Sequence, residues 1–391
     1  MIGASFPMTV GSGGAGFGAN GVPLIIETTL TGTSPIRVRG GGDGYEVRFA
    51  HPGNTFISDI QLGDATYGSA VLGYVADGSI GDPGNVVTLG YRFFDGEATQ
   101  TGTGTLRAFA DVTLPPGRTI RIAGGDHWDN RGGVLDTNGF NVTVAGAIAE
   151  LDSQTPLKKT GAGTLRLDGA NTYTGETTVA QGALGGVGAI AAVRVEPGAS
   201  LSPGPSAGTL RTGDVTWEAG AGLELDFDSA ASADRLEVAG QVTLNGDVPL
   251  SLRLNYAPAA EQTFVVIAND GSDPVQTGGL FMIGNNTLEE GESFAAAGVR
   301  WTISYIGGDG NDVALTFTVT LIPPDFDQDG DVDSSNLAAF EGCASGPAIP
   351  HTGDCGKADF DGDNDVDQVD FGIFQRCWSG GNKPADPNCA N

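Results

Sequence analysis

The sequence is poor in positive charge, in aromatic side chains, in histidine and in long apolar runs. Lys and Arg number 19 against 48 Asp and Glu, a formal net charge of -29. Nucleic acid and anionic membrane surfaces carry the same sign and are disfavoured as partners, whereas a divalent cation is a natural counter-ion. With aromatics at 7%, a core must be built from Val, Leu, Ile and Ala. No stretch reaches the ~18 apolar residues of a membrane span. The start, MIGASFPMTVGSGG, has neither the basic n-region nor the apolar h-region of an export signal. The three histidines, His51, His127 and His351, sit in no zinc spacing and no nucleophile elbow. Cysteine is scarce too: all four lie beyond Pro324 at a regular spacing, which points to disulfides and an oxidising compartment. An exported chain without an export signal leads to the expectation that the true start lies upstream of Met1.

What is present is enough to fold. Hydrophobic residues are 39% of 391, a length for two or three domains, and the 64 Gly and 20 Pro stay below a disordered composition. Up to about Val319 the chain is a succession of short alternating runs separated by Gly, Asn and Asp, which predicts β-strands joined by tight turns. Examples are Tyr45, Val47, Phe49; Leu223, Leu225, Phe227; Val248, Leu250, Leu252, Leu254; Trp301, Ile303, Tyr305; and Val313, Leu315, Phe317, Val319. Self-similarity supports stacked coils. GTLR recurs at Gly104, Gly163 and Gly208, and NTFISDIQL from Asn54 matches NTYTGETTV from Asn171. Short Gly/Asn/Thr-rich strands without crossover helices are what a β-solenoid requires, each coil burying its inward residues on its neighbours. Tandem sandwiches are the alternative.

The segment LKKTGAGTLRLDGANTYTGETTVAQGAL, Leu157 to Leu184, resembles the autotransporter-associated β-strand repeat of bacterial passenger regions. Flanking segments such as DTNGFNVTVAGAI, EPGASLSPGPSAGTL and WTISYIGGDGNDVALTF are similar in kind, extending the resemblance over roughly residues 40 to 319. It implies a right-handed parallel β-helix, exported and used as a scaffold or adhesive surface.

After the prolines Pro323 and Pro324 the composition changes: residues 323 to 391 hold 14 acids and 3 bases. DFDQDGDVDSSN from Asp325 and DFDGDNDVDQVD from Asp359 are two copies of one 12-residue pattern. A calcium ion takes about six to eight oxygens, and a loop offering them at positions 1, 3, 5, 7, 9 and 12 with a turn at 6 can wrap it. In the first copy these are Asp325, Asp327, Asp329, Asp331, Asp333 and Asn336, with Gly330 in the turn. In the second they are Asp359, Asp361, Asp363, Asp365, Asp367 and Asp370, with Asn364 in the turn, a residue that tolerates the left-handed conformation. Asp370 adds a charge and an oxygen that Asn336 lacks, so the second site is expected to bind more tightly. Without the ion, the crowded carboxylates repel, and the module is expected to be largely open.

A helical pattern follows each loop: Leu337, Ala338, Phe340, then Phe371, Ile373, Phe374. Loop then helix, twice, with aliphatic Val332 and Val366 at position 8, resembles the type I dockerin module and the disulfide-bearing dockerin-like tails of planctomycete secreted proteins. That resemblance implies two calcium sites and a cohesin-like receptor. It also implies partner contacts at loop positions 10 and 11, Ser334 and Ser335 then Gln368 and Val369. Cys343 and Cys377 lie at one loop offset, Cys355 and Cys389 at another. Four cysteines allow three pairings, of which the symmetric one within each repeat, Cys343 with Cys355 and Cys377 with Cys389, is favoured.

Catalysis has weaker support. The densest polar cluster in the β-region is GGDHWDNRGG, with Asp126, His127, Trp128, Asp129 and Arg131, and its glycines read as a surface loop. GGDGNDVAL at Gly307 resembles a β-roll nonapeptide but occurs once, so a hairpin turn is expected. Glu224, Asp226 and Asp228 alternate with Leu and Phe as a solvated strand face. The expected organisation is a partial coil over 1–39, a β-solenoid over 40–319, a linker at 320–324 and a dockerin-like module over 325–391. The expected function is a non-catalytic secreted or cell-surface scaffold attached through calcium. The alternative is a polysaccharide-degrading or carbohydrate-binding component of an extracellular assembly.

Overall fold

The computed structural model describes residues 7–19, 22–40, 46–63, 69–94, 99–123, 132–204, 207–256, 261–320, 322–327, 331–381, 383, 385–386 and 389–390. The chain divides into two compact units, one of Met1–Tyr256, Val265–Glu289 and Tyr305–Ala314, the other of Ala257–Phe264, Glu290–Ser304 and Leu315–Asn391.

The first unit is built from parallel sheets in an arrangement compatible with a β-helix. Within the three long ladders the pairing is parallel, each strand lying against its counterpart one coil later. One ladder runs from Leu24–Ile26 through Glu46–Phe49, Ala70–Tyr74, Gly104–Ala108, Gly133–Asp136, Leu157–Thr160 and Thr177–Val179 to Val242–Leu244 and Gln276–Thr277. A second begins at Val112–Leu114 and passes through Thr164–Leu167, Gly182–Gly185, Ala199–Leu201 and Gly222–Ser229 to Val248–Leu254. A third stacks Ala15–Gly18, Ile36–Arg39, Ile60–Leu62, Val86–Leu89, Thr119–Ile122 and Ile148–Glu150. Parallel register excludes the sandwich alternative, whose sheets are antiparallel.

The alternation in the sequence is the cause of this stacking. In the third ladder Ile36, Ile60, Val87, Ile120 and Ile148 fall in register and are fully buried, while Arg37, Gln61, Thr88 and Arg121 fall on the other face. Fully burying one such aliphatic side chain contributes about 1.5–3 kcal/mol, repeated at every coil. Coil length varies, from the short step Val179↔Val195 to the long step Leu72↔Leu106. The long step accommodates the antiparallel pair Tyr91–Phe94 and Thr99–Gly102.

Two sequence repeats prove different in kind. The three GTLR motifs supply strands to three different sheets, so they share a local conformation and not a position in the coil. The two Asn-Thr-aromatic segments are equivalent. Asn54 Oδ1 accepts from the Leu30 N–H at 2.8 Å and its Nδ2 donates to the Ser79 carbonyl at 2.7 Å. Asn171 does the same between Ile148 N (3.0 Å) and the Ala189 carbonyl (3.1 Å). Each amide therefore bridges the coil before it and the coil after it, and the aromatics Phe56 and Tyr173 are buried beside it.

Two buried cations were not foreseen from the sequence. Arg118 is fully buried, its Nε on Asp77 Oδ1 at 2.8 Å and its terminal nitrogens on the carbonyls of Asp82 and Gly81 at 2.6 and 2.9 Å. Lys159 is likewise buried, donating to Thr137 Oγ1 (3.0 Å) and to the carbonyls of Thr160 (3.0 Å) and Gln181 (2.8 Å). Carbonyls that turn inward where a coil bends need a donor, and these long side chains provide several from one position.

In the second unit Ser293–Ala296 forms an antiparallel hairpin with the start of Val299–Gly307, in which Phe294 faces Trp301. The tail folds as a small helical module around Val332, Phe340, Ala358, Val366 and Phe374.

Candidate metal centre

Each acidic loop runs into a ten-residue helix, α1 (Ser334–Cys343) and α2 (Gln368–Cys377). The helices start here because loop position 9 is aspartate in both copies. Asp333 and Asp367 are extended N-caps whose carboxylates accept from the backbone N–H of Ser335 and Val369 at 2.8 and 2.7 Å. Position 12 closes the box: Asn336 Oδ1 accepts from Asp333 N at 2.8 Å and Asp370 Oδ2 from Asp367 N at 2.9 Å. Positions 9 and 12, singled out as ion ligands, therefore also begin the helices. Ser334, Ser335, Gln368 and Val369 occupy the first helical turns and are exposed.

The middle of each loop is held by the other repeat. The Val332 N–H donates to Ser379 Oγ at 2.9 Å, and the Val332 carbonyl accepts from the Ser379 and Gly380 N–H groups at 3.0 and 3.1 Å. Val366 is held the same way by Ser345 Oγ at 2.9 Å and by the Ser345 and Gly346 N–H groups at 3.0 and 3.1 Å. Both valines are fully buried. Beneath them the position-2 phenylalanines, Phe326 and Phe360, stack with ring centroids 6.1 Å apart, and Phe360 stacks in turn on Phe340 at 6.0 Å. Neither the clasp nor the ring stack was anticipated, although both are written in the duplication, as Cys-x-Ser-Gly after each helix and Asp-Phe-Asp opening each loop. The disulfides are Cys343–Cys355 and Cys377–Cys389, each spanning 12 residues, so the within-repeat pairing is the one adopted.

In the second loop, carboxylate oxygens from Asp359, Asp361 and Asp363 lie within 4.8 Å of one another, and so do oxygens from Asp365, Asp367 and Asp370. Backbone turns bring them there. Asp359 Oδ1 and Oδ2 accept from Gly362 N (2.8 Å) and Asn364 N (2.9 Å), and Asn364 takes the left-handed conformation with φ 75°. Asp370 is fully buried and its Oδ1 accepts from Phe360 N at 2.6 Å, tying the end of the loop to its beginning. Desolvation and the surrounding carboxylates hold Asp361 and Asp365 above the usual carboxylate range. Asp365 is only 5% exposed, and its Oδ1 has no hydrogen-bond partner among the described residues. A crowded set of oxygen donors with an orphaned buried carboxylate oxygen fits a hard divalent cation.

The first loop differs. Asp327 Oδ1 accepts from Asn336 Nδ2 at 2.8 Å and its Oδ2 from Ser335 Oγ at 2.7 Å, and the hydroxyl and the amide hold the pKa of this carboxyl below its ordinary value. Asp325 and Asp331 are buried. Asp329 and Gly330 lie outside the described residues, as do Asp126, His127, Trp128, Asp129 and Arg131 of the glycine-flanked cluster. GGDGNDVAL forms the turn between Val299–Gly307 and Asp312–Thr320, with Asp312 Oδ1 accepting from Asn269 N at 2.9 Å. On the strand Gly222–Ser229, Glu224, Asp226 and Asp228 face outward as expected, paired with Ser200, Arg253 and Asn255.

No curated protein matches this chain. No helix among the described residues is long and apolar enough to cross a membrane. Residues 157–184 match the family model of the passenger-associated transport repeat, and in the structure they supply Leu157–Thr160, Thr164–Leu167, Thr177–Val179 and Gly182–Gly185 to two of the parallel ladders. That repeat and the two disulfides fit a secreted or surface protein with a passenger-like scaffold.

Proposed function

We propose that this chain is a non-catalytic scaffold, secreted or displayed at the cell surface, that is attached by its tail through a calcium-held, dockerin-like module to a cohesin-like receptor. The observation that carries the reading is the duplicated loop-helix unit in which Asp359, Asp361 and Asp363 converge within 4.8 Å. Calcium suits such a loop because it accepts many oxygens in flexible geometry. The exposed first turns of α1 and α2, with Ser334, Ser335, Gln368 and Val369, form the receptor face. The β-helix itself is passenger-like: a long regular surface on which outward side chains can be varied while the inward ladders stay fixed.

The experiment is capture of the full chain on immobilised cohesin domains in calcium and in chelator. Binding in calcium, lost in chelator and lost on Gln368→Arg with Val369→Asp, supports the attachment; retention unchanged by chelator contradicts it.

A second reading, carbohydrate binding by the β-helix, has one observation in its favour. A cavity of about 660 Å³ on the face of the second ladder is lined by Asn141, Arg166, Ser202, Glu224, Asp226 and Arg253, a polar and electrically balanced set suited to hydroxyl-rich ligands. A glycan array probed with wild type and with Arg166→Ala tests it: glycans held by wild type and lost by the variant favour this reading, and no binding contradicts it.

A further inference from the structure

The two copies of the loop differ at positions 11 and 12, and those two positions decide what faces the position-3 carboxylate. In the first loop they are Ser335 and Asn336. Asn336 Oδ1 is committed to the Asp333 N–H at 2.8 Å, which fixes the amide orientation and turns Nδ2 towards Asp327 Oδ1, also at 2.8 Å. Ser335 Oγ donates to the remaining oxygen, Asp327 Oδ2, at 2.7 Å. Both oxygens of this carboxylate thus receive a neutral donor from within the loop. An amide N–H₂ at position 12 is a donor with no lone pair to give, so it opposes a cation where a ligand oxygen should be.

In the second loop the same positions are Val369 and Asp370. Val369 has no hydroxyl. Asp370 is acceptor-only, with its oxygens on Phe360 N (2.6 Å), Asp361 N (3.3 Å) and Asp367 N (2.9 Å). Asp361 therefore gains no side-chain donor among the described residues; its Oδ1 accepts only the long 3.3 Å bond from Asp363 N. Oxygens of Asp365, Asp367 and Asp370 form a second converging group in this loop, and Asp365 Oδ1 is without a hydrogen-bond partner among the described residues. A buried position-7 carboxylate is common to both loops, Asp331 and Asp365 each being 5% exposed, so the difference between them lies at positions 3, 11 and 12. Lone pairs in this loop face one another, a repulsion that a bound cation relieves.

We infer that the tail takes a single divalent cation, in the loop Asp359 to Asp370, and that the loop Asp325 to Asn336 closes on the Asn336 amide and Ser335 hydroxyl without one. The inference rests on the reading of the tail as a cation-held module, but replaces two equivalent sites by one site and one self-closed loop. Asn336 and Ser335 are the residues that set this division, because they supply to Asp327 the positive ends of dipoles that an ion supplies to Asp361.

The test is calorimetric calcium titration of the full chain and three variants. Expected results are one equivalent assigned to the tail, lost in Asp361→Asn, unaffected by Asp327→Asn, and joined by a second equivalent in Asn336→Asp. Loss of one of two wild-type equivalents in Asp327→Asn overturns the single-site inference while leaving a cation-held module intact. Titrations that are identical for wild type and Asp361→Asn overturn the cation reading itself. Should Asn336→Asp fail to fold, the Asp327→Asn and Asp361→Asn pair still decides the matter.

Discussion

Ser379 accepts a hydrogen bond from the backbone N–H of Val332 at 2.9 Å across 47 residues of sequence, and Ser345 repeats that relation to Val366. Each loop is thereby fastened by the segment that leaves the other repeat's helix. Neither half of the duplication holds its own loop centre, so the module is cooperative by construction.

A crossed pattern of amide exchange follows. Ser379→Ala leaves the buried Val332 N–H without its hydroxyl acceptor, at a cost of about 1–3 kcal/mol. Val332 should exchange faster in Ser379→Ala, and Val366 faster in Ser345→Ala. Acceleration of the valine of the same repeat instead contradicts the clasp.

The disulfides brace the same clasps, since each begins two residues before its serine. Cross-links of this span restrict the unfolded chain by about 3 kcal/mol. Paired Cys377→Ser and Cys389→Ser changes should lower the denaturant midpoint of the tail and expose Val332 of the first loop more than Val366 of the second. Equal exposure of the two valines counts against the crossed arrangement.

Among the parallel ladders, the asparagines that bridge three coils carry unequal loads. Asn54 is buried and Asn171 only half-buried. Asn54→Ala strands the Leu30 N–H and the Ser79 carbonyl out of reach of water and should cost about 2–4 kcal/mol, the sum of two orphaned groups less relaxation. Asn171→Ala should cost about half as much, because solvent reaches its partners. Thermal unfolding of both variants checks the order.

Lys159 gives a pH dependence of definite sign. Burial pushes its ammonium down from 10.5 to about 8, with Asp136 opposing the shift. Between those values the unfolded chain holds the proton and the folded one releases it, so this residue's contribution to stability rises as pH increases from 8 to 10. The stability of wild type relative to Lys159→Met should climb over that range; a flat or falling difference rejects the assignment.

The ladder architecture was legible in the sequence because alternating runs such as Val47, Phe49 and Leu223, Leu225, Phe227 put apolar side chains on one face, and these five side chains are buried in the parallel ladders. Matching Asn54 to Asn171 found a true structural equivalence, whereas GTLR, matched as closely, found only a shared strand conformation. Residue identity alone does not say whether a side chain acts along the chain or across coils. Arg118 and Lys159 were invisible for a related reason: a cation buried between stacked parallel sheets answers carbonyls brought together by chain bends, and no local pattern announces it. In the tail, spacing identified the acidic loops and the paired cysteines. It did not distinguish Asn336 as a donor from Asp370 as an acceptor, because that difference depends on which atom faces the N-cap amide.

Hydrogen exchange of the full chain, followed by mass spectrometry in millimolar calcium and in chelator, bears most directly on how the tail acquires its shape. Protection should rise sharply in calcium across residues 359–370, with a smaller change across 325–336. Indistinguishable exchange of both segments under the two conditions would contradict it.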